Sequence, residues 1–565
     1  MYRNEHPKPG FARESWENLN GTWDFEFDSG NSGEARGLAK PDAAYTRKIE
    51  VPFCPESRLS GIGDTDFHAA VWYRRTFRVA AERLAGRVIL HIGACDYLST
   101  VYINGQKAGT HKGGYVSFSL DITAFVHEGD NILTVRAQDD VRDRMVPRGK
   151  QSEEYASHNC DYTRTTGIWQ TVWLEYTPKT YIADVKYYPD ATAGTLTLMA
   201  QLCGAAEFTV RATFEGREMG KVSTHHAGGH LTLTLPLAER HLWELGKGGL
   251  YDLTLTYGDD RVSSYFGLRS IEYVGNRFLL NGRSVFQRLV LDQGFYPDGI
   301  YTAPSDAELL ADIDRSMAMG FNGARLHQKV FEERFLYHAD RRGYMVWGEY
   351  PNWGLDHSYA DAIYGILDEW LEEVARDFNH PSIVGWCPFN ETWDQKGRAQ
   401  CNDLLRTVYL ATKAADPTRP CIDTSGNYHV VTDIYDVHDY NQNPETFRAS
   451  LASLATDGTY ADRFAPRQTY TPGMPFFLSE YGGIRWTDKE GWGYGNAPKT
   501  EEEFLTRLEG LTDALLDNPG VFAYCYTQLT DVEQEQNGLY TYDRRAKFPP
   551  EKIAKIFGKK AAIEN

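Results

Sequence analysis

Near residue 270 the spacing of apolar residues changes from one repeat to another, and this change divides the 565-residue chain. Before it, apolar and polar residues alternate in short runs such as TWDFEFD, VWYRRTFRV, RVILHIG and NILTVRAQDD, broken by Gly, Asn and Asp. Alternation puts one face of each strand on a core and the other in water, which is the pattern of antiparallel sandwiches. Residues 1–178 therefore read as a jelly-roll-like β-sandwich. The runs LTLMAQL, FTVRATF, HLTLTLPL and YDLTLTY, within residues 179–270, read as a second, immunoglobulin-like sandwich without the cysteine pair of antibody domains.

After residue 270, strands alternate with helices, which predicts a parallel sheet. Ser305 and Glu308 form a capping box, after which Leu310, Ile313 and Met317 make one apolar stripe ending at Gly320. Strand candidates are FQRLVLDQG, GARLHQ, YMVWGEYP, IVGWCPFNE, PCIDTSG, IYDVHDY, PFFLSEYGG and VFAYCYTQL. Eight such units predict a (β/α)8 TIM barrel over residues 271–565, although PCIDTSG and IYDVHDY are joined by little that looks helical.

Charge narrows the partners. Asp and Glu number 78 against 59 Lys and Arg, a net charge of −19, which repels phosphate backbones and anionic membranes. The eight cysteines contain no CxxC pair and read as reduced, mostly buried thiols. The opening MYRNEHPKPG has no charged-then-apolar leader, and no window approaches the ~18 apolar residues of a membrane span, so a cytoplasmic protein is expected. Neither a phosphate loop nor a Ser or Cys nucleophile motif is present, and no cofactor is expected. His158, Cys160 and Asp161 in HNCD hint at a metal, but no second cluster completes a site and none is expected there. The acidic loop DVEQEQNG, residues 531–538, reads as a solvated turn.

Two glutamates stand out. Glu391 closes the fourth strand candidate and Glu480 the seventh, and in a barrel both strand ends open on the same mouth. A buried carboxylate pair suits acid/base and nucleophilic work at an acetal, whereas a lone one is as readily a strand-end ion pair. Around them, Asp292 reads as an acceptor for sugar hydroxyls or as a turn cap, and Arg325 as an orienting partner of Glu480 or a structural ion pair. His327 ends the same strand as Arg325. His438 and Tyr440 end the sixth strand candidate, where the tyrosine hydroxyl can orient a carboxylate and the histidine is otherwise a core residue. Trp353, Trp393 and Trp486 follow strand ends and offer flat faces to sugar rings, or else pack.

The chain resembles glycoside hydrolase family 2, which includes β-galactosidases and β-glucuronidases. The resemblance lies in WYRRTF (72–77), HKGGYVSFSLDIT (111–123), TGIWQTVWLE (166–175), FGLRSIE (266–272), FLLNGRSVFQR (278–288) and HPSIVGWCPFNE. It implies Glu391 as acid/base with Asn390 beside it, Glu480 as nucleophile, and a retaining exo-β-glycosidase whose partner is a carbohydrate. Desolvation and the charge of Glu480 are then expected to raise the pKa of Glu391, and Asn390 to bond the sugar 2-hydroxyl. The glucuronidases of the family carry an Asn-x-Lys motif after the last strand. Here that region reads QNGLYTYDRRAKF, where only Arg544 or Lys547 can substitute, so β-galactosidase is the leading expectation. β-Glucuronidase and α-L-arabinosidase are alternatives within the family, and a non-catalytic carbohydrate-binding protein is the alternative outside it. A homo-oligomer stays open.

Overall fold

The computed structural model describes residues 3–488 and 490–564. Strands up to Val172–Thr177 form a four-stranded and a six-stranded antiparallel sheet, with a further two-stranded pairing. Alternation does what it predicts: Trp23 and Phe25 face the core with Tyr73, Leu90, Val101, Val135 and Leu174, while Asp24 turns out to meet Lys48 and Arg74. Strands from Tyr181–Asp190 to Asp260–Gly267 form a three-stranded and a four-stranded sheet around their own core, which includes Leu198, Val210, Tyr251 and Leu255.

In the C-terminal barrel, seven strands pair in parallel. In chain order they are Gln287–Asp292, Gly323–Leu326, Met345–Glu349, Ile383–Cys387, Tyr435–Asp439, Phe476–Gly482 and Ala523–Thr527. The expected strand PCIDTSG does not form one. It fills the gap between Ile383–Cys387 and Tyr435–Asp439 through two isolated parallel bridges, Trp386 to Cys421 and Asn390 to Ser425. Backbone groups of Pro420, Ile422 and Ser425 pair with residues 386–391, and others of its groups are spent locally. Asp433 accepts from the Cys421 N–H, and Asp423 accepts from the N–H groups of Val430 and Val431. No helix follows it before Tyr435.

The first barrel helix, Asp306–Ala318, is capped by Ser305 Oγ accepting from the Glu308 N–H at 3.3 Å. Its core face is Leu309, Ile313 and Ser316, so the stripe is rotated by one residue from the expected one, with Leu310 and Met317 on its flank. The rotation follows from Asp312, which is drawn inward by Arg315 and Arg544. No helix among the described residues is long and apolar enough to cross a membrane, and all eight cysteines are free thiols.

The strand that leads to Glu391 is anchored from behind. The Trp386 indole N–H donates to Asp416 at 2.8 Å, and Arg419 joins Asp416 to the Ile383 carbonyl. Trp386 and Trp347 each lie over a glycine of the neighbouring strand, a large-against-small layering that fills a barrel without strain. A Cβ on Gly385 would sit 2.4 Å from the Trp347 ring, and one on Gly348 would sit 2.5 Å from the Trp386 ring. We predict that Gly348→Ala costs about 1–3 kcal/mol by overpacking and lowers the denaturation midpoint of the barrel. Leu410→Ala, 57% exposed on a helix, should leave it within about 0.5 kcal/mol. Equal midpoints for the two variants would contradict this packing account.

Candidate active site

Glu480 projects from the strand Phe476–Gly482 and is almost wholly buried, whereas Glu391 lies beyond the end of Ile383–Cys387 with its side chain 19% exposed. Glu391 sits at φ 49°, a left-handed backbone that costs a non-glycine residue energy and is held only where the surroundings over-determine it. Here the hold is the Glu391 N–H donating to the Ser425 carbonyl at 2.9 Å, so the bridged segment that failed to become a strand is what seats this residue.

Three groups converge on Glu480. Arg325 Nη1 donates to Oε1 at 3.2 Å, the Tyr440 hydroxyl donates to Oε2 at 2.5 Å, and His438 Nδ1 lies 3.4 Å from Oε2. The same His438 nitrogen is 2.8 Å from Glu391 Oε1. Ligand atoms of Glu391, His438 and Glu480 thus all lie within 4.8 Å of one another. Arg325 also donates through Nη2 to Glu349 at 2.7 Å and to Asn390 Oδ1 at 3.1 Å. Burial opposes its charge, but Glu349 and Glu480 hold it well above the ordinary guanidinium range. His327 meets the other side of Glu349 at 2.8 Å. Burial pushes Glu349 up, yet Arg325 and His327 outweigh it and bring its pKa down to about 2.

The expectation of a raised pKa on Glu391 is corrected. Burial does push it up, but the hydrogen bond and charge of His438, aided by Lys150 and His327, outweigh burial and hold it at about 2. His438 moves the opposite way: burial works against its charged form, and Glu480 and Glu391 together raise its pKa above the ordinary imidazole value.

The other expected residues divide. Asn390 is fastened through its backbone to Asn352 and through Oδ1 to Arg325, which leaves Nδ2 a buried donor without a protein partner. The Trp353 indole donates to the Asn390 carbonyl, and its ring face lies 3.9 Å from Lys150 Nζ. Trp393 is 40% exposed and stands edge-on to Tyr428 and Phe464, forming an aromatic rim. Trp486 is partly buried and packs on Phe504 and Phe548. Asp292 is buried and accepts from the Gly294 N–H at 2.9 Å, as a turn cap would; burial and Asp312 push its pKa to about 6.

Four further residues belong to this region and carried little signal in the sequence. Glu349 ends YMVWGEYP as Glu391 ends its own run, and equal treatment of strand-end carboxylates would have found it. Ser425 lies in the segment read as a plain strand. Lys150 comes from the N-terminal sandwich, on a loop that folds onto the barrel mouth where the Arg148 and Gly149 N–H groups donate to the Trp353 carbonyl. Gly149 has φ 56°, and a Cβ there would meet the Gln328 carbonyl oxygen at 2.4 Å, so this approach requires glycine. Glu535 lies in the loop expected to be solvated. That loop is buried at Asp531, Glu535 and Asn537, because Lys547 pairs with Asp531, Gln528 with Asn537, and Tyr162 with Glu535.

Glu391, His438 and Glu480 are close enough to share a cation, as are Glu153, His158 and Asp161. In the first group a cation would have to displace the imidazole–carboxylate hydrogen bond. In the second, the HNCD motif supplies His158 and Asp161, while Cys160 is not part of the cluster.

Comparison with known proteins agrees with this architecture. Residues 61–178 match the sugar binding domain of glycosyl hydrolases family 2, and residues 308–486 match the TIM barrel domain of the same family. A β-glucuronidase from Paenibacillus borealis is 26% identical over 450 residues, covering 73% of each chain. One from Felis catus is 27% identical over 75% of this chain and 70% of its own. A β-galactosidase from Thermoanaerobacter pseudethanolicus is 24% identical over 72% of this chain and 53% of its own. The crystal structure of Ruminococcus gnavus β-glucuronidase superposes with a TM-score of 0.81 at 19% identity, over 99% of both chains. With its sandwich and barrel both matched, the chain belongs to glycosyl hydrolase family 2.

Proposed function

We propose that the protein is a retaining exo-β-glycosidase with Glu391 as acid/base and Glu480 as nucleophile, and that its substrates are β-glucuronides. The observation that carries the reaction type is the carboxylate oxygens lying within 4.8 Å of each other. Retaining enzymes place the pair about 5 Å apart, whereas inverting ones leave roughly 6.5–9.5 Å for a water. Glu480, aimed by Arg325 and Tyr440, attacks the anomeric carbon as Glu391 protonates the departing oxygen. Water then releases the sugar, with Glu391 as base. Asn390 Nδ2, a donor without a protein partner, suits a sugar hydroxyl beside the reacting carbon.

The choice of sugar departs from the leading expectation of a galactoside. Most of the similar proteins are named β-glucuronidases, and the pocket supplies the cation that a buried substrate carboxylate needs. It is not Arg544, which is spent on Asp312 and the Phe295 carbonyl, nor Lys547, which is spent on Asp531. Lys150 makes no ion pair among the described residues and lies over Trp353, in the field of Glu391 and Glu535. Glu535 favours a second reading. A buried carboxylate there repels a glycone carboxylate and accepts from a neutral sugar's hydroxyl.

A panel of p-nitrophenyl β-glucuronide, β-galactoside, β-mannoside and α-L-arabinoside separates these readings. The glucuronide is expected to be cleaved fastest. Lys150→Met should then lower the glucuronide-to-galactoside ratio of kcat/KM at least tenfold, about 1.4 kcal/mol. A galactoside cleaved faster by the native enzyme would overturn the choice of sugar and favour the Glu535 reading.

The two glutamates are separated by azide. Glu391→Ala, on an activated aryl glycoside, should still glycosylate Glu480, and azide should restore turnover to give the β-glycosyl azide. Glu480→Ala should lose nearly all activity, and with azide should give the α-product. A β-azide from the Glu480 variant would reverse the assignment.

A further inference from the structure

We infer that His438 stores the catalytic proton: between turnovers its Nδ1 holds, between Glu391 and Glu480, the proton that Glu391 delivers to the leaving group. This rests on the retaining reading above. It makes His438 a positioning residue that acts through Glu391, rather than one that contacts sugar.

The geometry argues for a doubly protonated ring. Nδ1 faces Glu391 Oε1 at 2.8 Å and Glu480 Oε2 at 3.4 Å, both acceptors when ionised. Nε2 lies 2.9 Å from Ser425 Oγ. Of the acceptors around that hydroxyl, the ionised Asp436 Oδ2 at 2.7 Å takes its hydrogen in preference to the ring nitrogen, because a charge-assisted bond is the stronger one, so toward the ring the hydroxyl accepts. An imidazole with acceptors at both nitrogens is satisfied only as imidazolium, because either neutral tautomer leaves two lone pairs facing each other. Gly426 packs flat against the ring, where a Cβ would come within 2.5 Å of Nδ1, so the imidazole is held in this orientation. Glu480 and Glu391 favour the imidazolium and Arg325, paired with Glu480, opposes it; Asp436, behind Ser425, is itself paired with the buried side chain of His429 at 3.2 Å. Lys150 and His327 act on the Glu391 side.

Protons balance through the cycle. The resting triad carries one proton, on His438, with both glutamates ionised. As the C1–O bond breaks, that proton crosses from Nδ1 to Glu391 Oε1 and on to the departing oxygen, while Glu480 forms the ester bond to C1. His438 is then neutral, Glu391 is an anion and Glu480 carries no charge. Water attacking C1 gives its proton to Glu391, the ester breaks to regenerate the Glu480 anion, and the proton returns to Nδ1. Loss of one of its two anionic neighbours as the ester forms weakens the imidazole's hold on the proton at the step that needs an acid, and its return when the ester breaks lets the ring take the proton back at the step that needs a base.

Two measurements test this. In the native protein, 15N NMR of histidine at neutral pH should show His438 protonated at both nitrogens. After labelling Glu480 with the 2-deoxy-2-fluoro-β-glycosyl fluoride of the sugar it turns over, the Nδ1 proton should be gone. Separately, His438→Gln should move the alkaline limb of kcat/KM to lower pH, since that limb is loss of the stored proton. The variant should also slow alkyl glycosides about 100-fold more than a 2,4-dinitrophenyl glycoside, the scale of general-acid assistance. A ring that is neutral in the free enzyme, a ring unchanged on labelling, or an unmoved alkaline limb overturns the inference. Mass spectrometry distinguishes the failures. If no adduct forms on Glu480, the retaining reading falls and the inference with it; an adduct with an unchanged imidazole refutes the inference alone.

Discussion

Two carboxylates held within 4.8 Å repel each other by about 3.5 kcal/mol at an effective dielectric of about 20, and the architecture of the barrel mouth is organised around that repulsion. Cationic and hydrogen-bonding groups are interposed from different strands: Arg325 from the second, and His438 and Tyr440 from around the end of the strand Tyr435–Asp439. Arg325 is in turn fixed by Glu349 and Asn390, so its position depends on two further strand ends. A buried arginine shared among three elements cannot shift toward one without exposing charge on the others, and this gives the site its rigidity.

The N-terminal sandwich takes part in the same network rather than standing apart from it. Its loop brings Lys150 onto Trp353 and Tyr162 onto Glu535, and the backbone of that loop is hydrogen-bonded to the barrel. The mouth around Trp353 and Glu535 is therefore built from two domains, while Glu391, His438, Tyr440 and Glu480 come from the barrel alone.

What could be read from the sequence follows from periodicity. Alternating runs gave the sandwiches, and apolar runs closing on a carboxylate located Glu391 and Glu480, because both signals are local. The residues that escaped depend on contacts across long sequence separations. Lys150 and Glu535 are neighbours only because a sandwich loop lies on the barrel, and DVEQEQNG looked solvated because nothing local announces Tyr162, Lys547 or Gln528. Trp486 was ambiguous for a related reason: an aromatic after a strand end fits a pocket and a core equally well, and its neighbours Phe504 and Phe548 are distant in sequence. The lowered pKa of Glu391 was hidden because desolvation is legible from an apolar run, whereas the opposing imidazole arrives from a strand 47 residues away.

The claim on which the rest stands is that the carboxylate pair works by double displacement, and the anomeric configuration of the first-formed product tests it most directly. Proton NMR during the first minutes of hydrolysis of an aryl β-glycoside, before mutarotation, should show the β-hemiacetal appearing first and the α-anomer growing in later. First appearance of the α-anomer would mean direct displacement by water and would contradict the account.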